Sequence, residues 1–199
     1  MKIERRKPLR ANIGIVGVGH HTYWAQFEGL LHRMHVKQKD FGEKVKIHGV
    51  NVFDFGLIDE SQSTYKALAE IRKTDLDLVF VDMLTYATSA TFAPLIKSLD
   101  IPLVMVALQP DMAMDYAHGS TFLQLMNDDF CSMPEFANVA VRMGKNVPEI
   151  ILGHEQGDPI ADAEIKEWCQ IAKVLHDLIG DTSFQGCAGS WRDNDMAGS

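Results

Sequence analysis

Five short apolar runs, each separated from the next by a longer segment, limit what this chain can fold into. Residues 12–18 (NIGIVGV), 45–54 (VKIHGVNVFD), 77–82 (DLVFVD), 102–108 (PLVMVAL) and 148–153 (PEIILG) read as strands. Their apolar residues run together rather than alternate, which is the pattern of strands covered on both faces. Between them, GHHTYWAQFEGLLHRM places Tyr23, Trp24, Phe27, Leu30, Leu31 and Met34 at helical spacing. Ser61 to Arg72 reads as a helix with Ser61 or Ser63 as its cap, and TSATFAPLIKSL as a third helix with Pro94 in its path. Residues 133–142 follow as a fourth. Asp158 to Ile179 carries a stripe of Ile165, Trp168, Ile171, Ala172, Leu175 and Leu178 behind a capping Asp158 and a first-turn Pro159.

Repeated strand–helix alternation demands right-handed crossovers and a parallel sheet. The expected fold class is therefore α/β: a doubly wound, Rossmann-like or flavodoxin-like domain of five parallel strands in order 2-1-3-4-5, with helices on both faces. It should occupy residues 1–180. Residues 181–199, rich in glycine, serine and aspartate and without periodicity, read as a loosely ordered tail.

Composition narrows the function. The charge sum over 199 residues is 19 − 27 = −8, a poor match to a phosphate backbone, so no nucleic-acid partner is expected. No apolar run reaches the ~18 residues of a membrane helix, so no membrane partner is expected either. The three cysteines, Cys131, Cys169 and Cys187, form no CxxC pair, which fits a reduced, cytoplasmic protein. Cys169 reads simply as a buried helix residue.

Sheets of this class take ligands beyond the carboxyl ends of their strands, which selects 17–23, 53–59, 82–88 and 109–116. In the first, Gly17-Val-Gly-His-His-Thr-Tyr23 has a GxG but lacks the third glycine of a dinucleotide turn, since Thr22 stands there. Asp54 also lies farther on than the usual ~20 residues. Paired His20 and His21 could bind a metal, move a proton or hydrogen-bond a polyol. His20, His21, Tyr23, Thr85 and Gln109 each follow a strand's end, and should converge as a set of imidazole, phenol, hydroxyl and amide groups suited to a sugar. The acidic pair in Asn127-Asp128-Asp129 could serve as base or ligand, or be a polar loop. No complete catalytic set, P-loop, GxSxG or metal-ligand spacing is present, so no catalytic or metal residue is assigned.

The segments PLVMVALQPDMAMDY, LMNDDFCSMPEFANVAVRMGK and EIILGH resemble the N-terminal region of the L-arabinose isomerase family, within the L-fucose/L-arabinose isomerase superfamily. GHHTYW resembles the family's turn after its first strand, and DAEIKEWCQIAKVLHDL its exit helix, so the likeness covers residues 12–179. The resemblance implies an aldose–ketose isomerase of carbohydrate metabolism, with a metal, typically Mn²⁺, that polarises the sugar. In the family, two glutamates and two histidines of later domains hold that metal. This chain would then be an N-terminal fragment, inactive alone and holding no cofactor of its own. His21, Tyr23 and Gln109 match family positions, with His20 where a glutamine usually stands. Asp128 and Cys131 stand where the family offers glutamine and histidine to a neighbouring subunit.

The resemblance also implies a homo-oligomer. The loop 127–135 is its expected interface, because Met126, Phe130 and Met133 would form an apolar patch around Asp128. A non-catalytic sugar-binding or oligomerisation domain remains the alternative, and a nucleotide-binding response or dehydrogenase domain a third reading. Residues 181–199 could be a native end, a truncation or a frameshifted reading.

Overall fold

A computed structural model describes residues 10–180 of the chain. The tail at 181–199, with Cys187, lies outside the described residues. Five strands, β1 (Asn12–Val18), β2 (Asn51–Ile58), β3 (Leu78–Met83), β4 (Leu103–Gln109) and β5 (Glu149–His154), form one sheet in the order β2-β1-β3-β4-β5. Every pairing is parallel. The doubly wound α/β architecture and its strand order are as the alternation predicts.

Seven helices complete the described chain: α1 (Thr22–Gln26), α2 (Leu30–Lys46), α3 (Ser61–Ile71), α4 (Ser89–Ser98), α5 (Thr121–Met126), α6 (Met133–Arg142) and α7 (Pro159–Gly180). One face of the sheet packs Val79, Val81, Met105 and Ala107 against Leu68, Phe92, Leu95, Phe136 and Ala140 of α3, α4 and α6. The other packs Ile13, Ile15, Phe80, Val104 and Val106 against Phe41 and Val45 of α2 and Ala161, Ile165 and Cys169 of α7. The central strands β1, β3 and β4 are therefore buried almost throughout, while the edge strands β2 and β5 are open along part of their length. Burial pushes the Cys169 thiol up to about 12, so it packs as a small apolar group.

Three local readings are corrected. The second strand begins at Asn51 rather than 45, because α2 continues to Lys46 and the chain turns at Gly49, with φ +70°. The segment after β1 is two helices, since Gly29 at φ +83° breaks the helical path between α1 and α2. The cap of α3 is Glu60, whose side chain accepts from the Ser63 backbone while the Ser63 hydroxyl takes the Glu60 N–H. Asp158 caps α7 as expected, its Oδ1 accepting from the N–H groups of Ile160 and Ala161.

Candidate functional site

The turn after β1 is pinned by backbone bonds from Gly19 N–H to the Ile58 carbonyl (3.0 Å) and from His21 N–H to the Asp59 carbonyl (3.4 Å). Asp59 is itself held from two sides, by the Trp24 indole N–H at 2.8 Å and the Ser63 hydroxyl at 2.8 Å. This fixes His20 at the carboxyl edge of the sheet. Its ring lies 5.0 Å from that of His21, 5.4 Å from Tyr23 and 6.1 Å from Tyr86, nearly parallel to the first and last. The His20 Nδ1 faces the Thr22 hydroxyl at 2.9 Å.

Tyr86 comes from the loop after β3, and α6 positions it. The buried Ser132 hydroxyl accepts from the Ala87 N–H at 2.7 Å and donates to the Ala87 carbonyl at 2.9 Å. A Glu135 carboxylate oxygen accepts from the Ser89 N–H at 2.7 Å. The Asp128 carboxyl lies beside the Tyr86 backbone and the Cys131 thiol. Replacing Ser132 with alanine removes both bonds to Ala87 and leaves a buried N–H unpaired. The expected cost is about 1–3 kcal/mol, read from chemical denaturation.

The structure thus brings His20, His21, Tyr23, Asp128 and Cys131 to one neighbourhood with Tyr86, which the sequence reading missed. Thr85 is buried, and its hydroxyl donates to the Tyr86 carbonyl at 3.1 Å, so it shapes the loop beneath the rings. Gln109 is engaged elsewhere: its side-chain N–H donates to the Asn127 carbonyl at 2.8 Å, tying β4 to the Asp128 loop. The apolar patch expected at 127–135 is mostly internal. Met133 is buried in the core and Met126 packs on the cluster of Leu30, Met34 and Leu125, leaving Phe130 as its exposed member.

Burial keeps the rings and the thiol of this site in their uncharged forms. Partial burial, reinforced by the neighbouring His21, lowers the His20 imidazole below its usual range. Burial and then Asp128 hold the Tyr23 phenol above its usual range, and burial and Glu135 do the same for Tyr86. Burial raises Asp128, and burial and Asp128 raise the Cys131 thiol. At neutral pH the site therefore offers an uncharged imidazole, two phenols and a protonated thiol. A thiol raised in this way is a poor nucleophile.

Asp129, next in sequence to Asp128, enters a different environment. It is fully buried and ion-paired with Lys37 of α2, whose amine also lies 3.5 Å from Glu155. Asp82, at the end of β3, is buried beside them. Burial outweighs the Lys37 attraction and pushes both carboxyls up to about 7. Among the described residues, Asp82 Oδ2 and Asp129 Oδ2 have no hydrogen-bond partner. Nearby, Gln38 donates to Asp54 at 2.7 Å. Gly17 admits this arrangement, since a Cβ there would stand 2.5 Å from Gln38 Oε1. A signal for Lys37 existed in the sequence: it shares the helical stripe of Leu30, Met34, Phe41 and Val45, where a charge must find a partner.

Among the described residues, no group of three or more His, Cys, Asp or Glu side chains is placed to hold a metal ion, and no helix is long and apolar enough to cross a membrane.

No family model and no curated protein matches this chain. Among solved structures, a rubredoxin oxygen:oxidoreductase from Desulfovibrio gigas is similar at 12% identity and a TM-score of 0.40, over 85% of this chain and 37% of that one. This likeness is too distant to bear on function. The resemblance to the L-arabinose isomerase family is corrected on these findings. No family model and no curated protein supports it. The readings as an aldose–ketose isomerase fragment and as a protein of carbohydrate metabolism fall with it.

Proposed function

We propose that this domain binds a small, uncharged, hydroxyl-rich molecule at the carboxyl edge of its sheet. The observation that carries this reading is the ring cluster of His20, Tyr23 and Tyr86 beside Asp128, whose imidazole, phenols and neighbouring thiol are neutral at pH 7. Flat ring faces accept the C–H surface of a polyol, while imidazole, phenol and carboxyl groups match its hydroxyls. The nearby acids Asp59, Asp128 and Glu135 disfavour a phosphorylated ligand. The free Cys131 and Cys169 support placement in a reducing compartment, the cytoplasm.

Titration with neutral polyols and with their phosphorylated counterparts, followed by NMR of the His20 and tyrosine ring signals, tests this. The neutral compounds should shift those signals and bind at least about tenfold more tightly, a difference of ~1.4 kcal/mol. His20→Ala should weaken binding by a similar factor. Binding should also weaken as the pH falls below the usual imidazole range, where His20 gains its proton. Tighter binding of the phosphorylated compound overturns the proposal.

A further inference from the structure

The two edges of the sheet are not alike. On β2, the Asp54 carboxylate accepts from the Gly56 N–H at 2.8 Å, Gly56 takes φ +77°, and the pairing with β1 shifts register. An irregular, charged edge of this kind resists pairing with another chain. The other edge, β5, carries a charge only at its first residue, Glu149, and has no register shift. Its pairing with β4 is regular from Glu149 to His154. The Glu155 N–H donates to the Gln109 carbonyl of β4, so the odd-numbered residues of β5 face β4 and the even-numbered ones face outward. Ile150 and Leu152 therefore point their backbone N–H and C=O groups away from the sheet. The two residues are 40% and 52% exposed, and Val147, just before the strand, is 44% exposed. The outward N–H of His154 is already taken by Asp158 Oδ2 at 3.1 Å.

We infer that β5 pairs antiparallel with β5 of a second copy of this chain, across a twofold axis centred on Ile151. The occupant follows from self-complementarity. A twofold axis normal to the sheet keeps the two faces in common, so residues of equal parity stand opposite each other. Centring on Ile151 sets Ile150 against Leu152 of the other copy, twice. Both residues of each pair carry outward backbone groups, so each pair exchanges both of its hydrogen bonds. The exposed Ile150 and Leu152 side chains then become cross-strand neighbours on one face. Ile151 meets its own copy on the face that α7 covers. Centring one residue later would require the His154 N–H, which Asp158 holds. The result is a ten-stranded sheet running through both copies, with the carboxyl-edge sites of the two protomers at opposite ends.

Light scattering across a concentration series and amide exchange on the full chain test the pairing. The expected result is a dimer at tens of micromolar, in which the Ile150 and Leu152 amides are protected and lose protection on dilution. Leu152→Lys should weaken dimerisation at least tenfold with an unchanged circular dichroism spectrum, and Ile150→Lys provides the same reading should that variant misfold. Phe130→Glu, on the 127–135 loop, should leave the dimer intact. A monomer at a hundred micromolar overturns the inference. So does a dimer that persists in Leu152→Lys and Ile150→Lys, or one that dissociates in Phe130→Glu.

Discussion

Replacing Lys37 with methionine is expected to destabilise the protein by about 3–5 kcal/mol, because it removes the cation that, among the described residues, pairs with a fully buried Asp129. Methionine fills much of the same volume, so the loss is electrostatic rather than a cavity. Urea unfolding of the two proteins measures it. The double variant Lys37→Met/Asp129→Leu should recover much of the loss, since it removes both buried charges together. The pH dependence has a definite sign. Asp82 and Asp129 titrate at about 7 in the folded protein against a usual 3.8. Between those values the folded state holds the extra protons, so the contribution of these two groups to stability is full at low pH and is lost as pH rises through about 7. Without Lys37 both carboxyls lose an attraction that favours their charged form, so the deficit of Lys37→Met should shrink as the pH is lowered from about 8 to about 5. A deficit that is constant over that range would mean the two acids are not buried as described.

Phe92→Ala is expected to cost about 3–5 kcal/mol, the range for emptying a fully buried phenylalanine site. The Phe92 ring stacks on Phe136 at a centroid distance of 4.3 Å and 7° between planes, and neither ring is exposed. This stack joins α4 to α6, the helix that places Ser132 against Ala87 and Glu135 against Ser89. Loosening it should therefore also disturb Tyr86 and weaken the proposed ligand. Guanidinium denaturation gives the first effect, and the Tyr86 ring signals give the second. A stability loss below about 1 kcal/mol would show that α4 and α6 are held mainly by other contacts.

Much of the fold was legible because burial on both faces leaves a strand no room for polar residues. The runs at 12–18, 77–82, 102–108 and 148–153 all lie within a residue of their strands. The second strand was not, because α2 and β2 are joined by a stretch in which apolar residues continue without a break in period. Gly49 marks the boundary by its backbone angle rather than by its surroundings. The site was legible in part. Strand-end position singled out His20, His21 and Tyr23, but it also promoted Gln109, whose amide is spent on the Asn127 carbonyl. Tyr86 follows the same strand as Thr85, and the spacing alone does not say which of the two is buried.

By itself the sequence determined the layer structure, the parallel order of the strands and the sheet edge that carries the candidate site. These depend on periodicity, chain direction and crossover handedness, which are local or topological. The tertiary structure alone decided how adjacent residues divide their work. Asp128 turns toward Tyr86 and Cys131, while Asp129 turns inward to Lys37, 92 positions away. It also decided that one sheet edge is closed by Asp54 and Gly56 while the other keeps Ile150 and Leu152 open. Such outcomes follow from which distant groups reach the same small volume, where desolvation and pairing outweigh any preference of the residue itself.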